Sequence, residues 1–186
     1  MDISRISAGP NPPDEINVII EIPAGGAPVK YEIDKESGAL FVDRFLHTPM
    51  FYPGNYGFIP HTLGDDGDPL DVIVVSPIPL LAGSVIPARP VGVLIMSDEK
   101  GGDEKILAVP ATSVYPYHAN VKNYTDLPPI IVEQIEHFFT HYKDLEKGKS
   151  VTVKGWGDAG EAAALIEAGM KAHQDKLAKK KAADAA

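Results

Sequence analysis

The segment DGDPLDVIVV, residues 66–75, joins a turn that carries three carboxylates to an apolar β-strand. Gly67 and Pro69 favour the turn, and the run of Val and Ile after Asp71 is typical of a strand. A turn that is anchored to a strand can aim several carboxylates at one point. The segment therefore predicts one strand of the fold and the start of an acidic cluster.

Short apolar runs of the same kind recur through the first 130 residues, where they are separated by many of the 17 Gly and 17 Pro of the chain. Many short strands with frequent turns favour a closed or strongly curved sheet, because closure removes exposed strand edges. The predicted strands cover residues 17–22, 29–34, 40–45, 71–75, 91–97, 105–109 and 149–154.

The pattern becomes helical after residue 126. Residues 127–143 begin with two prolines, which a first helical turn tolerates, and continue with apolar residues at helical spacing. Residues 159–181 are rich in Ala and predict a second helix. Since no repeat or long linker is visible, we predict one domain over residues 1–186, with flexible ends at residues 1–14 and 179–186.

The composition limits the partners that the protein can have. The chain has 186 residues, with 26 Asp and Glu against 17 Lys and Arg, and its formal net charge is −9. This charge disfavours nucleic-acid and anionic-membrane partners, although bound cations could still admit a small anion. The lack of Cys excludes disulfides and thiolate sites. No signal peptide or membrane span is evident, so we expect a cytoplasmic protein.

The carboxylates of residues 66–71 would repel one another at close range unless a cation lay between them. Oxygen ligands alone favour Mg²⁺, Ca²⁺ or Mn²⁺, and the alternative is a solvated acidic turn. An EF-hand loop needs an acidic or amide residue at its fifth position, Gly at its sixth and Glu at its twelfth. In a loop that starts at Asp66, these positions hold Leu70, Asp71 and Pro77, so an EF-hand does not fit. A second acidic cluster at residues 97–105 is by itself an ordinary hairpin tip. Together, the two clusters could hold more than one metal ion.

Isolated cations and tyrosines are interleaved with these acidic clusters. Lys30 and Glu32 alternate on one predicted strand and therefore share a face. Taken singly, such residues are solvated charges or core aromatics. Taken together they suit a phosphate, because Arg can bind two of its oxygens at once, Lys supplies a compact charge and Tyr donates a hydrogen bond.

At these residues the sequence resembles the soluble inorganic pyrophosphatases of the single-domain bacterial type. The resemblance covers residues 15–157, and its most specific parts are the motif at residues 66–71 and YPGNYGFIP at residues 52–60. It implies a five-stranded β-barrel of the oligonucleotide-binding (OB) type, flanked by two helices. It also implies Mg²⁺ as the metal, pyrophosphate as the substrate and a homohexamer as the assembly.

The resemblance further implies a role for each site residue, and a reaction in which a metal-activated water attacks pyrophosphate directly and yields two orthophosphates. Asp68 would be the general base, and Glu32 and Tyr52 would support the site. The implied metal ligands are Glu21, Asp66, Asp71, Asp98 and Asp103. The implied substrate-binding residues are Lys30, Arg44, Tyr56, Lys105, Tyr142 and Lys143.

Three rival functions are left open by the residues themselves. A nucleic-acid-binding barrel would share the topology, but the net charge and the lack of a basic stripe disfavour it. A Ca²⁺-binding module would have no use for the Lys, Arg and Tyr set. Another Mg²⁺-dependent phosphoanhydride hydrolase, acting on polyphosphate or nucleoside triphosphates, is the alternative among enzymes, although no Gly-rich phosphate-binding loop is present.

Overall fold

The computed structural model describes residues 2–99 and 101–184. Its strands are β1 (Ile16–Ile22), β2 (Val29–Ile33), β3 (Leu40–Phe45), β4 (Asn55–Phe58), β5 (Asp71–Val74), β6 (Val85–Asp98), β7 (Gly101–Gly102), β8 (Lys105–Pro110) and β9 (Val151–Gly157). Its α-helices are α1 (Pro129–His141) and α2 (Ala159–Asp184).

Five of the strands close into a ring. Strand β1 pairs with β4 and β6, β4 pairs with β5, and β8 lies between β5 and β6. The β5–β8 pairing is parallel and the other four are antiparallel. Strands β7 and β9 extend the sheet from β6. The predicted five-stranded barrel with two helices beside it is thereby confirmed.

The ring strands are apolar on both faces because two separate cores use them. On β5, Ile73 belongs to the cluster that includes Phe138 and Phe139 of α1. Its neighbours Val72 and Val74 belong to the cluster that includes residues of α2. A strand that is buried on both sides needs a continuous apolar run, which is the pattern found after Asp71.

Strands β2 and β3 form a two-stranded sheet of their own, the β2–β3 hairpin, in which Lys30 pairs with Arg44. Most of β3 is exposed to solvent. The hairpin therefore carries two of the predicted substrate-binding residues on an element outside the ring.

Three strands differ from their predictions. Strand β4 (Asn55–Phe58) is absent from the predicted strands because Pro and Gly surround it. Gly57 is needed there, since a Cβ at this position would lie 1.9 Å from the carbonyl oxygen of Ile19 on β1. Strand β6 begins at Val85 instead of Val91, because a register shift between Pro90 and Gly92 accommodates prolines inside it. Strand β9 runs three residues beyond the predicted end.

The two ends of the chain are described as far as residues 2 and 184. Ile3 and Ala8 are buried near the start, and α2 continues as a helix to Asp184. Residues 1 and 185–186 of the predicted flexible ends lie outside the described residues, and the flexibility itself stays a prediction. Within the described part of the chain, no helix is both long and apolar enough to cross a membrane.

Candidate active site

A single cleft brings together every site residue that the sequence analysis selected. These residues are Glu21, Lys30, Glu32, Arg44, Tyr52, Tyr56, Asp66, Asp68, Asp71, Asp98, Asp103, Lys105, Tyr142 and Lys143. Their placement in one cleft makes a joint function physically possible. Their individual roles stay predictions.

The centre of the cleft is set by the parallel pairing of β5 and β8. Asp71 begins β5, Lys105 begins β8, and the two residues are partners in the register. Lys105 Nζ lies 2.6 Å from Asp71 Oδ2 and 2.5 Å from Asp103 Oδ1, and the Lys105 side chain is 2% exposed. Two carboxylates therefore converge on one buried cationic point.

The pKa values around Lys105 show a site that is short of positive charge. Burial lowers the pKa of Lys105, but Asp71 and Asp103 raise it more, so the net shift is upward and the amine stays charged. The pKa of Asp103 is also raised, because burial and the repulsion from Asp71 and Asp98 outweigh the attraction of Lys105. One ammonium does not fully compensate these carboxylates, and a further cation would be favourable here.

The acidic turn before β5 holds its carboxylates in different surroundings. Asp66 Oδ1 accepts a hydrogen bond from the Asp68 backbone N–H at 3.0 Å, and Gly67 takes a φ of +90° that suits glycine. The Asp68 side chain is 65% exposed and lies 3.7 Å from Lys35 Nζ. Asp68 is therefore accessible to water at the mouth of the cleft.

Glu21, on β1, is a buried carboxyl group at the edge of the same cleft. It is 5% exposed, and its Oε1 accepts a hydrogen bond from the Ile33 N–H at 2.7 Å. Burial raises the pKa of Glu21 to about 7, the Ile33 hydrogen bond opposes this shift, and the charge of Asp71 adds to it. Burial therefore favours the protonated form of this carboxyl group, although Lys35 and Lys30 oppose the shift.

The remaining cations of the cleft are paired with carboxylates. Lys143 Nζ lies 2.9 Å from Asp98 Oδ2, and Lys149 Nζ lies 2.9 Å from Glu99 Oε1. Lys30 is paired with Glu32. Eight acidic and six basic side chains line the cleft. An anionic substrate would therefore meet a net negative lining unless cations entered with it.

Three tyrosines supply hydrogen-bond donors at the floor of the cleft. Tyr52, Tyr56 and Tyr142 are at most 5% exposed, and the Tyr52 ring centroid lies 5.0 Å from that of Tyr56. Burial raises the pKa of each hydroxyl well above 10.0. The three groups therefore stay protonated and are able to donate hydrogen bonds to a bound anion.

The donor set suits a hard divalent cation, although the side chains are not yet arranged around one. Among residues 2–99 and 101–184, no three His, Asp or Glu side chains lie close enough to hold an ion as they stand. The ammonium of Lys105 lies where Asp71 and Asp103 converge. All of the candidate ligands are carboxylate oxygens, which Mg²⁺ prefers, so the residues fit the ion once these side chains turn towards it.

The structure adds charged residues that the sequence analysis did not select. Lys35, Glu99 and Lys149 line the cleft, and Asp43 and Glu146 contact Arg44. Glu99 lies inside the acidic cluster at residues 97–105, so its position was signalled. Glu146 and Lys149 lie in an irregular segment, and their partners are distant in the sequence.

Comparisons with known proteins agree with this geometry. The sequence model of the family described as inorganic pyrophosphatase matches residues 18–174. The inorganic pyrophosphatase of Rhodospirillum rubrum is 64% identical over 172 residues, which cover 92% of this chain and 96% of the relative. The inorganic pyrophosphatase of Caulobacter vibrioides is 61% identical over 175 residues, which cover 94% of this chain and 99% of the relative. A solved structure of an inorganic pyrophosphatase from Coxiella burnetii is 47% identical and has a TM-score of 0.87, with coverage of 90% and 99%.

Proposed function

The chain belongs to the inorganic pyrophosphatase family and hydrolyses inorganic pyrophosphate, and we propose that it does so with Mg²⁺ at the cleft described above. The observation that carries this proposal is the convergence of Asp71 and Asp103 on the buried ammonium of Lys105. This convergence supports a site in which carboxylates gather positive charge. Side chains that can donate hydrogen bonds to phosphate line the same cleft.

Magnesium would be held by carboxylates that lie on separate elements of the cleft. When bound, it supplies positive charge that offsets the charge of the substrate and lowers the pKa of water at the site. Asp71 and Asp103 would then contact both Lys105 and the metal ion. The Lys105 ammonium would be able to donate one of its hydrogen bonds to the substrate. The proposed ligands are Glu21, Asp66, Asp71, Asp98 and Asp103.

Asp68 accepts the proton of the attacking water in this proposal. Its carboxylate is exposed at the cleft mouth, and its backbone is fixed by the hydrogen bond to Asp66. A general base of this kind typically raises the reaction rate about 10²–10⁴-fold. The water attacks one phosphorus directly, the P–O bond to the bridging oxygen breaks, and two orthophosphates leave.

The departing phosphate gains negative charge, which donors already in place can stabilise. The guanidinium of Arg44 and the hydroxyl of Tyr56 donate to its oxygens, with Lys30 as a compact charge beside them. Tyr142, Lys143 and Lys105 hold the other phosphoryl group. Because these donors are positioned by the fold before the substrate arrives, little reorganisation is needed during the reaction.

Nucleoside triphosphates and polyphosphate are the alternative substrates. Each of the lining aromatics Tyr52, Tyr56, Phe58 and Tyr142 is at most 5% exposed, so none of them offers a ring face on which a base could stack. The small, polar cleft therefore favours pyrophosphate over a nucleotide.

Phosphate release is the direct test of the proposed function. We expect release from pyrophosphate with Mg²⁺, loss of release with EDTA, and recovery when Mg²⁺ is returned. With ATP, or with Ca²⁺ in place of Mg²⁺, release should be much slower. Comparable rates for ATP would overturn the substrate assignment, and full activity in EDTA would overturn the metal assignment.

A homohexamer and a cytoplasmic location complete the proposal, and both rest mainly on family membership. The exposed apolar side chains of β3, including Phe41 at 57% and Phe45 at 68% exposure, support burial against a second copy of the chain. Sedimentation equilibrium should then give six times the chain mass, and a monomer at working concentration would contradict the hexamer.

A further inference from the structure

Arg44 is held between two carboxylates. Its Nε lies 3.1 Å from the Glu146 carboxylate, and its Nη1 lies 2.6 Å from Asp43 Oδ2. A guanidinium is a rigid plane, so fixing two of its nitrogens fixes the direction of the third. Arg44 lines the cleft, and the contacts of Nε and Nη1 leave the N–H groups of Nη2 for a further acceptor.

Glu146 is a buried carboxylate in an irregular segment whose neighbouring residues are mostly exposed. It is only 8% exposed, and a buried carboxylate is costly unless a cation compensates it. Arg44 provides that cation. Burial lowers the pKa of Arg44, but Glu146 and then Asp43 raise it, so that the net shift is upward and the group stays charged.

The Glu146–Arg44 contact joins two parts of the cleft that are 102 positions apart in the sequence. Arg44 lies on the β2–β3 hairpin, outside the ring. Glu146 lies in the turn after α1, where its N–H donates to the carbonyl of Lys143 at 2.8 Å. The same turn carries Tyr142, whose carbonyl accepts a hydrogen bond from Thr48 Oγ1 at 3.4 Å.

The two carboxylates that hold Arg44 do different things. Asp43 is its neighbour on the same strand, so it can orient the guanidinium only relative to the hairpin. Glu146 lies in the turn after α1, so it alone of the two relates the guanidinium to Tyr142 and Lys143. The Thr48 contact also joins the chain after β3 to this turn, but Glu146 is the residue of the turn that contacts the guanidinium itself.

We propose that Glu146 is a positioning residue for pyrophosphate hydrolysis, which orients the Arg44 guanidinium from the turn after α1. The proposal rests on the proposed role of Arg44 in binding phosphate. Glu146 acts through Arg44, so its contribution to the rate disappears when the guanidinium is removed.

A double-mutant cycle tests this dependence. We expect Glu146→Ala to lower kcat/KM for pyrophosphate about tenfold, and Glu146→Gln to lower it less, because an amide oxygen still accepts from Nε. In an Arg44→Ala background, both changes at position 146 should leave kcat/KM within about twofold of the Arg44→Ala value. Asp144→Asn is the matched control, because Asp144 is exposed in the same turn, and it should keep the wild-type value.

Several results would overturn the proposal. One is an equal loss in both backgrounds, because the effect would then not pass through Arg44. Another is wild-type kcat/KM in both position 146 variants. Unchanged kcat/KM in Arg44→Ala would remove the role on which the proposal rests, and wild-type protein without pyrophosphate hydrolysis would instead refute the proposed function. Since Glu146→Gln keeps the shape of the side chain, the cycle stays informative even if Glu146→Ala does not fold.

Discussion

Replacing Lys105 by Met should destabilise the metal-free protein strongly. The ammonium lies 2.6 Å from Asp71 and 2.5 Å from Asp103, and the Lys105 side chain is 2% exposed. With an effective dielectric constant of about 20, each contact is worth roughly 6 kcal/mol before the cost of removing the charges from water. Breaking a buried pair of this kind leaves a net loss of about 3–5 kcal/mol.

This loss can be measured as a change in melting temperature. For a chain of this length, 1 kcal/mol corresponds to about 2–4 °C, so Lys105→Met should melt roughly 6–20 °C lower in EDTA. Scanning calorimetry at one fixed protein concentration measures the shift, since assembly also affects stability. Lys35→Met is the control, because the Lys35 side chain is 46% exposed and lies 3.7 Å from Asp68, and it should change stability by less than about 1 kcal/mol.

Magnesium supplies the second half of this experiment. With Lys105 replaced, Asp71 and Asp103 lack their cation and should gain more from a bound ion. Adding Mg²⁺ should therefore raise the melting temperature of Lys105→Met more than that of the wild-type protein. A variant that melts within about 2 °C of wild type in EDTA, or that Mg²⁺ stabilises no more than wild type, would refute this account of the cleft centre.

Two further substitutions test other carboxyl groups of the cleft. Asp68→Asn should lower kcat about 10²–10⁴-fold in phosphate-release assays and keep the stabilisation by Mg²⁺, and near-normal turnover across pH would contradict the base assignment. Glu21 has a folded pKa of about 7 against an ordinary 4.5, so the folded state holds an extra proton between these values. The metal-free protein should therefore lose about 3 kcal/mol of stability as the pH rises from 4.5 to 7, and Glu21→Gln should remove that slope in calorimetry. Parallel pH profiles for the two proteins would exclude this explanation.

Local pattern was enough to predict most of the fold. The strands β1, β2, β3, β5 and β8 have apolar runs bounded by turn residues, and each was predicted to within one residue at either end. Strand β4 was missed because Gly57 is dictated by the close passage of β1, which no local rule can detect. The early part of β6 was missed because its prolines are tolerated at a bulge that only the partner strand reveals.

The cleft was predictable where its residues belong to recognisable motifs. Asp66, Asp68 and Asp71 stand together in the sequence, and Tyr56 lies in a motif just before them. Glu146 carried no such signal, because its significance comes from a contact with Arg44 across 102 positions. Pairings over such distances follow from the closed fold and not from neighbouring residues.

The position of β8 has a consequence for how the protein is synthesised. It is the last of the five ring strands in the chain, and it fills the place between β5 and β6. At 5–20 residues per second, the ribosome needs roughly 2–7 seconds to make the 34 positions between Asp71 and Lys105. During that interval β5 has an unpaired edge and Asp71 has no lysine beside it. The arrival of β8 closes the ring and brings Lys105 to Asp71 in one event, so the centre of the candidate site is not assembled before the barrel is complete.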